Sequence, residues 1–294
     1  MSLTTKLGLV PWLLGALLGG SGACTSSSPV PARDLQLQTT FKVAPGEERY
    51  ECYRMNVNAD AFITKLATSA APGVHHQILA VTDQSQPEGV STCSSVLQAE
   101  TLSWLFVANS NPLDFAMPAS VAYRIPAGRQ LVLDMHLFNP SDSPIETTLT
   151  VNLTGIAETE VVSIAQLVEA GSLQINLPPD RATTISGTCT LAKDVSLFGL
   201  LPHMHSLGTS FKASLTRGSG DVMLYDGAFS GEMQQFQRFD PVAMPAGTPL
   251  NVECDYFNSS SATVVYGPSA HDEMCFGIAY YYPAIDGQGP LCLK

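Results

Sequence analysis

From residue 41 onward, short runs rich in Val, Ile, Leu, Phe, Tyr and Thr alternate with Gly, Pro, Asn and Ser turn signals. No other feature restricts the fold of this chain as much. The runs at 73–81, 120–125, 130–137, 147–153, 211–215, 249–256 and 276–282 are of strand length, and helical periodicity is scarce. With 23 Gly, 20 Pro and only 14% charged residues, the composition agrees, and the sequence predicts an all-β protein. At 294 residues the chain exceeds the usual single-domain size, so two domains are expected, each with its own core. The stretch 154–160 lies between strand-like runs at mid-chain and is the predicted boundary, giving domains at 41–155 and 156–294. No sequence repeat relates the halves closely.

Lys6, the apolar run 7–18 and the small-residue stretch 19–23 read as an export signal over residues 1–23, shorter in its apolar part than a membrane span needs. Cys24 follows Ser21, Gly22 and Ala23 as in a bacterial lipobox, except that Leu is usual where Ser21 stands. Two expectations follow: lipidation of Cys24 with membrane anchoring, or ordinary cleavage near Ala23. Residues 24–40, with Ser and Pro concentrated early, read as a tether. The expected location is the bacterial periplasm or cell surface, with secretion as the alternative if Cys24 carries no lipid. In such an oxidising place the six remaining cysteines, Cys52, Cys93, Cys189, Cys254, Cys275 and Cys292, are expected to form three disulfides; no CxxC pair suggests a thiolate metal site, and fifteen pairings are open. The net charge of -12, with no basic patch, excludes nucleic acid as a partner and most simply reports a soluble exported surface.

Five of the six histidines fall into three compact groups: His75 with His76, His136 alone, and His203 with His205 around Met204. Neutral imidazole is the commonest metal ligand, and repeated clustering is costly unless a cation sits between the rings. If 200–206 is extended, His203 and His205 project to one side as a two-point chelate. By the same rule His75 and His76 point to opposite faces, and they share a metal only through a local bulge or different ring nitrogens. Taken alone, each group also fits a hydrogen-bonded or surface histidine, and Met274 fits a core methionine.

Joint occurrence changes that balance. Val74-His75-His76-Gln77-Ile78-Leu79, Met135-His136-Leu137-Phe138-Asn139-Pro140, Pro202-His203-Met204-His205-Ser206-Leu207-Gly208 and Asp272-Glu273-Met274-Cys275 stand in an order and at approximate spacings that resemble the copper type II ascorbate-dependent monooxygenases, the family of peptidylglycine α-hydroxylating monooxygenase and dopamine β-hydroxylase. Pro245-Ala246-Gly247 and Cys254-Asp255-Tyr256-Phe257-Asn258 extend the likeness, which covers most of the chain from about Phe41. The resemblance implies two tandem antiparallel β-sandwich domains of jelly-roll character, with a copper site in each and an open cleft between them. It implies that His75, His76 and His136 hold an electron-storing copper, and that His203, His205 and Met274 hold the oxygen-activating one. Two coppers per chain are expected. It further implies the pairings Cys52–Cys93, Cys189–Cys292 and Cys254–Cys275. Asp134 shares a strand face with His136 and is a candidate to orient it; a solvated acid is an equal reading. His271 lies outside the family pattern and reads as a surface residue.

The function so implied is hydroxylation of a C–H bond with dioxygen and ascorbate or another one-electron donor. One departure bears on the substrate. Where peptidylglycine enzymes place an arginine and polar residues around a substrate carboxylate, this chain carries Leu201, Phe276 and Ile278, which cannot satisfy a desolvated carboxylate. A small apolar or aromatic substrate is expected. The alternatives are a copper-binding or storage protein without turnover and a purely structural β-sandwich.

Overall fold

A computed structural model describes residues 29–94, 102–108, 110–218, 220–230, 235–289 and 291–293; the export signal and Cys24 lie outside them. The protein is all-β, with no α-helix among the described residues, one 3-10 turn at Glu158–Glu160 and predominantly antiparallel pairing. Each of the seven strand-like runs forms a strand, from Val74–Thr82 through Cys275–Tyr282. The fold starts earlier than the sequence suggests. Leu35–Val43 is already a strand, paired with Ile145–Ile156, because Leu37, Thr39, Phe41 and Val43 alternate inward from exposed residues. Its first six residues fall in the stretch read as a tether.

In the first half, one sheet runs Leu35–Val43, Ile145–Ile156, Ala61–Thr68, Val121–Ile125; the other contains Glu48–Asn56, Gln130–Phe138, Val74–Thr82, Ser103–Ala108 in that order. The same two orders recur in the second half. One sheet contains Gln166–Ser172, Cys275–Tyr282, Val195–His203, Gln237–Met244, and the other is Arg181–Cys189, Leu250–Asn258, Gly208–Leu215, Val222–Ala228. Two turns carry the repeat at one constant offset. In Pro126-Ala127-Gly128 and Pro245-Ala246-Gly247, the alanine N–H donates to Asp60 and Asp194 respectively (2.7 and 2.8 Å), and each glycine takes the positive φ that the turn demands, 78° and 75°. Eleven residues later Asn139 and Asn258 close matching turns, each amide oxygen accepting from the N–H and hydroxyl two residues on, Ser141 or Ser260, at 3.0 and 2.7 Å. The chain is thus a structural duplication that its side chains have largely erased.

The duplicates do not meet through equivalent faces. The sheet bearing His75, His76 and His136 packs against the second half's sheet bearing His203. Leu167, Leu201, Ile278 and Tyr280 join the core of the first half, and the Tyr280 hydroxyl accepts from Val107 N–H at 3.1 Å. The expected open cleft is therefore closed, because these apolar side chains bury against each other.

One acid is caught in this contact. Glu169 follows Leu167 on the same face of its strand, is 2% exposed, and burial pushes its carboxyl up to about 8. In the unfolded chain the carboxyl titrates near 4.3. Folding therefore takes up a proton between these values, and stability is lost as pH rises through that window at up to roughly 1.4 kcal/mol per unit. Glu169→Gln, which cannot ionise, should gain stability over the parent at pH 8 compared with pH 5 in urea unfolding. A difference independent of pH would show that Glu169 is not held neutral.

Candidate metal centre

The strand Val74–Thr82 pairs with Gln130–Phe138, but its register slips between Val74 and His76, so His75 is an extra residue. That bulge brings adjacent imidazoles to one side, with ring centroids 5.4 Å apart, and His76 stands directly opposite His136, rings 4.9 Å apart. One ligating nitrogen from each of the three lies within 4.8 Å of the others.

The second set is assembled differently. His203 ends the strand Val195–His203, and His205 lies beyond it, so strand alternation does not place the pair as expected. Instead the Glu273 carboxylate accepts from the His205 N–H (2.8 Å), the Leu207 N–H (2.7 Å) and the Met274 N–H (3.4 Å). Burial still raises that carboxyl to about 7. The His203 and His205 rings are 5.4 Å apart, and Met274 Sδ lies 3.3 Å from His203 Nε2. Met204 between them points into the second core. Met274 is fully buried, its carbonyl accepts from the Tyr256 hydroxyl at 2.6 Å, and its neighbour Cys275 is bridged to Cys254. All three implied disulfides are present: Cys52–Cys93, Cys189–Cys292 and Cys254–Cys275.

The two sets are not separate. His75 and His205 have ring centroids 5.3 Å apart, and His76 and His203 are 5.7 Å apart, so five imidazoles and one thioether form a continuous cluster, buried except for the partly exposed His75. His271 stays outside it, exposed, 6.1 Å from the Phe138 ring. Asp134 is fully buried beside the Cys52–Cys93 bridge, which rules out the solvated reading. The carboxylate found on His136 is that of Glu48, 2.8 Å from Nε2. Neither Glu48 nor Glu273 was assigned a role from sequence: Glu48 lies 88 residues from His136, and no local pattern links them.

Imidazole hydrogen bonding fixes the donor atoms. A backbone carbonyl and an ionised carboxylate only accept, so His205 Nδ1–H donates to Asp272 O (2.9 Å) and His136 Nε2–H donates to Glu48. The lone pairs left over, His205 Nε2 and His136 Nδ1, are buried without a hydrogen-bond partner, as are His75 Nε2 and both nitrogens of His76. An orphaned buried polar atom costs about 1–3 kcal/mol. Burial also holds His75 down to about 2 and His76, His136 and His205 below the ordinary range, so the rings are neutral. Neutral, desolvated, convergent nitrogens fit a bound cation, and imidazoles beside a thioether fit copper in particular.

Beside the cluster, Leu201, two residues before His203, lines a cavity of about 310 Å³ with Val107, Pro112, Leu113 and Phe236; Asn111 and Gln235 add amides. Leu201, Phe276 and Ile278 are all buried.

The sequence profile of the copper type II ascorbate-dependent monooxygenase C-terminal domain matches residues 161–293. DBH-like monooxygenase protein 1 of Gallus gallus is 30% identical over 142 residues, 42% of this chain and 23% of that protein. DBH-like monooxygenase protein 2 of Homo sapiens is 23% identical over 289 residues, 86% of this chain and 54% of that protein. The chain thus spans about half or less of the curated relatives it matches. Among solved structures, that of the STIV MCP aligns over 80% of this chain and 97% of its own at 9% identity, with a TM-score of 0.31, too low to bear on fold or function.

Proposed function

Because this chain belongs to the copper type II ascorbate-dependent monooxygenase family, matched across residues 161–293, we propose that it is an exported two-copper monooxygenase. It hydroxylates a C–H bond of a small apolar or aromatic molecule with dioxygen and ascorbate or another one-electron donor. The two halves act as tandem jelly-roll sandwiches. His75, His76 and His136 hold one copper, and His203, His205 and Met274 the other. Bound copper supplies one-electron chemistry and dioxygen activation that no side chain provides.

The observation that carries this reading is the cluster of orphaned nitrogens on His75, His76, His136 and His205, packed ring to ring beside the His203–Met274 pair. The chain's own residues do the rest. Asp272 and Glu48 hold the proton of His205 and His136 on the nitrogen away from the cluster, which keeps the other lone pair available. Leu201, Val107 and Phe236 give the adjoining cavity apolar walls with no charged group, which favour an apolar guest over a carboxylate. The three disulfides suit an oxidising compartment outside the cytoplasm, where Cys24 would be available for lipid attachment. The closed, ring-to-ring packing of the two sets favours a second reading, copper storage without turnover.

Copper-loaded protein should contain two coppers per chain. With ascorbate, oxygen and a panel of small apolar and aromatic molecules it should consume oxygen in a substrate-dependent way, with products heavier by one oxygen atom. Two tightly held coppers without such consumption would favour storage, and copper content near zero would remove both readings.

A further inference from the structure

We infer that Glu48 is a positioning residue that locks one histidine of each set in place, His136 directly and His205 through the turn leading to Met274; its importance for copper rests on the reading above. Glu48 and Tyr50 lie on the strand Glu48–Asn56, on the face that carries His136, and Tyr50 is the residue directly opposite it. The Tyr50 ring stacks on the His136 ring, centroids 4.3 Å apart and planes 6° from parallel, so the imidazole cannot rotate freely. Both side chains then reach across to the second half. The Tyr50 hydroxyl donates to Pro268 O (2.9 Å). Glu48 Oε1, already accepting from His136, accepts from Ala270 N–H (3.1 Å), and its Oε2 lies 3.5 Å from the Ser269 hydroxyl.

What they grip is a closed turn. Asp272 N–H donates to Ser269 O (3.0 Å), the Asp272 carboxylate accepts from Ser269 N–H (3.3 Å), and the Asp272 carbonyl accepts from His205 Nδ1–H (2.9 Å). Displacing Ser269 and Ala270 therefore moves the carbonyl that orients His205, two residues ahead of Met274. A carboxylate is suited to this place because it offers two acceptor oxygens and no donor, and its charge strengthens the bond from His136. Glutamine keeps one acceptor and introduces a donor.

The test compares Glu48→Ala, Glu48→Gln and Tyr50→Phe with the parent, first as metal-free full chain and then with copper. In the metal-free protein, amide exchange at Ala270 and solvent exchange of the His205 Nδ1 proton, read by NMR, should quicken at least about tenfold in Glu48→Ala and less in Glu48→Gln. With copper, affinity should fall roughly 10–100-fold at the His136 site in Glu48→Ala, the range typical for loss of a group that orients a ligand. Its reduced-state X-ray absorption should change at the second site as well, and glutamine should restore part of both. If alanine fails to fold, glutamine and Tyr50→Phe give the same readouts in the same direction. Unchanged exchange at Ala270 and His205 in the folded variants would overturn the inference. Should the parent bind no copper, the copper reading fails, while the metal-free exchange data still decide the role of Glu48.

Discussion

Exchanging Met274 for histidine is expected to leave two coppers bound and to cut turnover at least about 100-fold, beyond the roughly 10–100-fold that follows loss of a merely supporting group. The side chain sits fully buried with its sulfur 3.3 Å from His203 Nε2. Its backbone is pinned independently by the Tyr256 hydroxyl, the Glu273 carboxylate and the Cys254–Cys275 bridge, so the exchange acts through the side chain. Imidazole still binds copper, which preserves stoichiometry. The loss of a soft thioether favours the oxidised metal, which opposes the reduced state needed to meet dioxygen. X-ray absorption of the reduced parent should contain a copper–sulfur contribution that Met274→His lacks. A parent without it would take Met274 out of the site, and full activity in the variant would make the thioether dispensable.

The strands were legible because period-2 alternation survives wherever one face is buried, and the first strand, Leu35–Val43, was missed because Ser and Pro just before it masked the alternation. For His75 and His76, alternation alone placed the rings on opposite faces. Only a bulge makes them neighbours, and a bulge is a property of the pairing with Gln130–Phe138, not of either strand alone. The disulfide pairing followed from family resemblance. Nothing in the spacing of the six cysteines specified it. How the halves meet was the least legible feature. The expectation of an open cleft ignored the apolar face of Leu201, Ile278 and Tyr280, because strands buried on both sides read as continuous apolar runs that do not reveal which sheet covers them. The same long-range packing brings Glu48 to His136, and no local pattern announces such a contact.

Packing so many imidazoles together has a cost that acid should reveal in the metal-free protein. Burial, with the neighbouring rings adding to it, holds His75 down to about 2; burial likewise lowers His76, His136 and His205, opposed at His136 by the Glu48 carboxylate and at His205 by Asp272. In the unfolded chain all four titrate near 6.5. Because the folded values are the lowered ones, the unfolded chain binds more protons below that pH. Stability is complete above about pH 6.5 and is lost as pH falls toward the folded values, by up to roughly 1.4 kcal/mol per unit for each ring. His75 and His76 together approach roughly 3 kcal/mol per unit, and His136 and His205 add to this in the same direction, against a total stability of about 5–15 kcal/mol, so the metal-free protein should unfold within a narrow acid range. Urea midpoints measured between pH 7.5 and 4.5 should give an uptake of more than two protons on unfolding, and His75→Gln should lower it by about one. Copper competes with protons for the same nitrogens, so the loaded protein should resist acid to a lower pH, and chelation should abolish the difference. An uptake below one proton, or a copper-loaded protein no more acid-resistant than the metal-free one, would mean that these rings are not buried, neutral and converging on a cation.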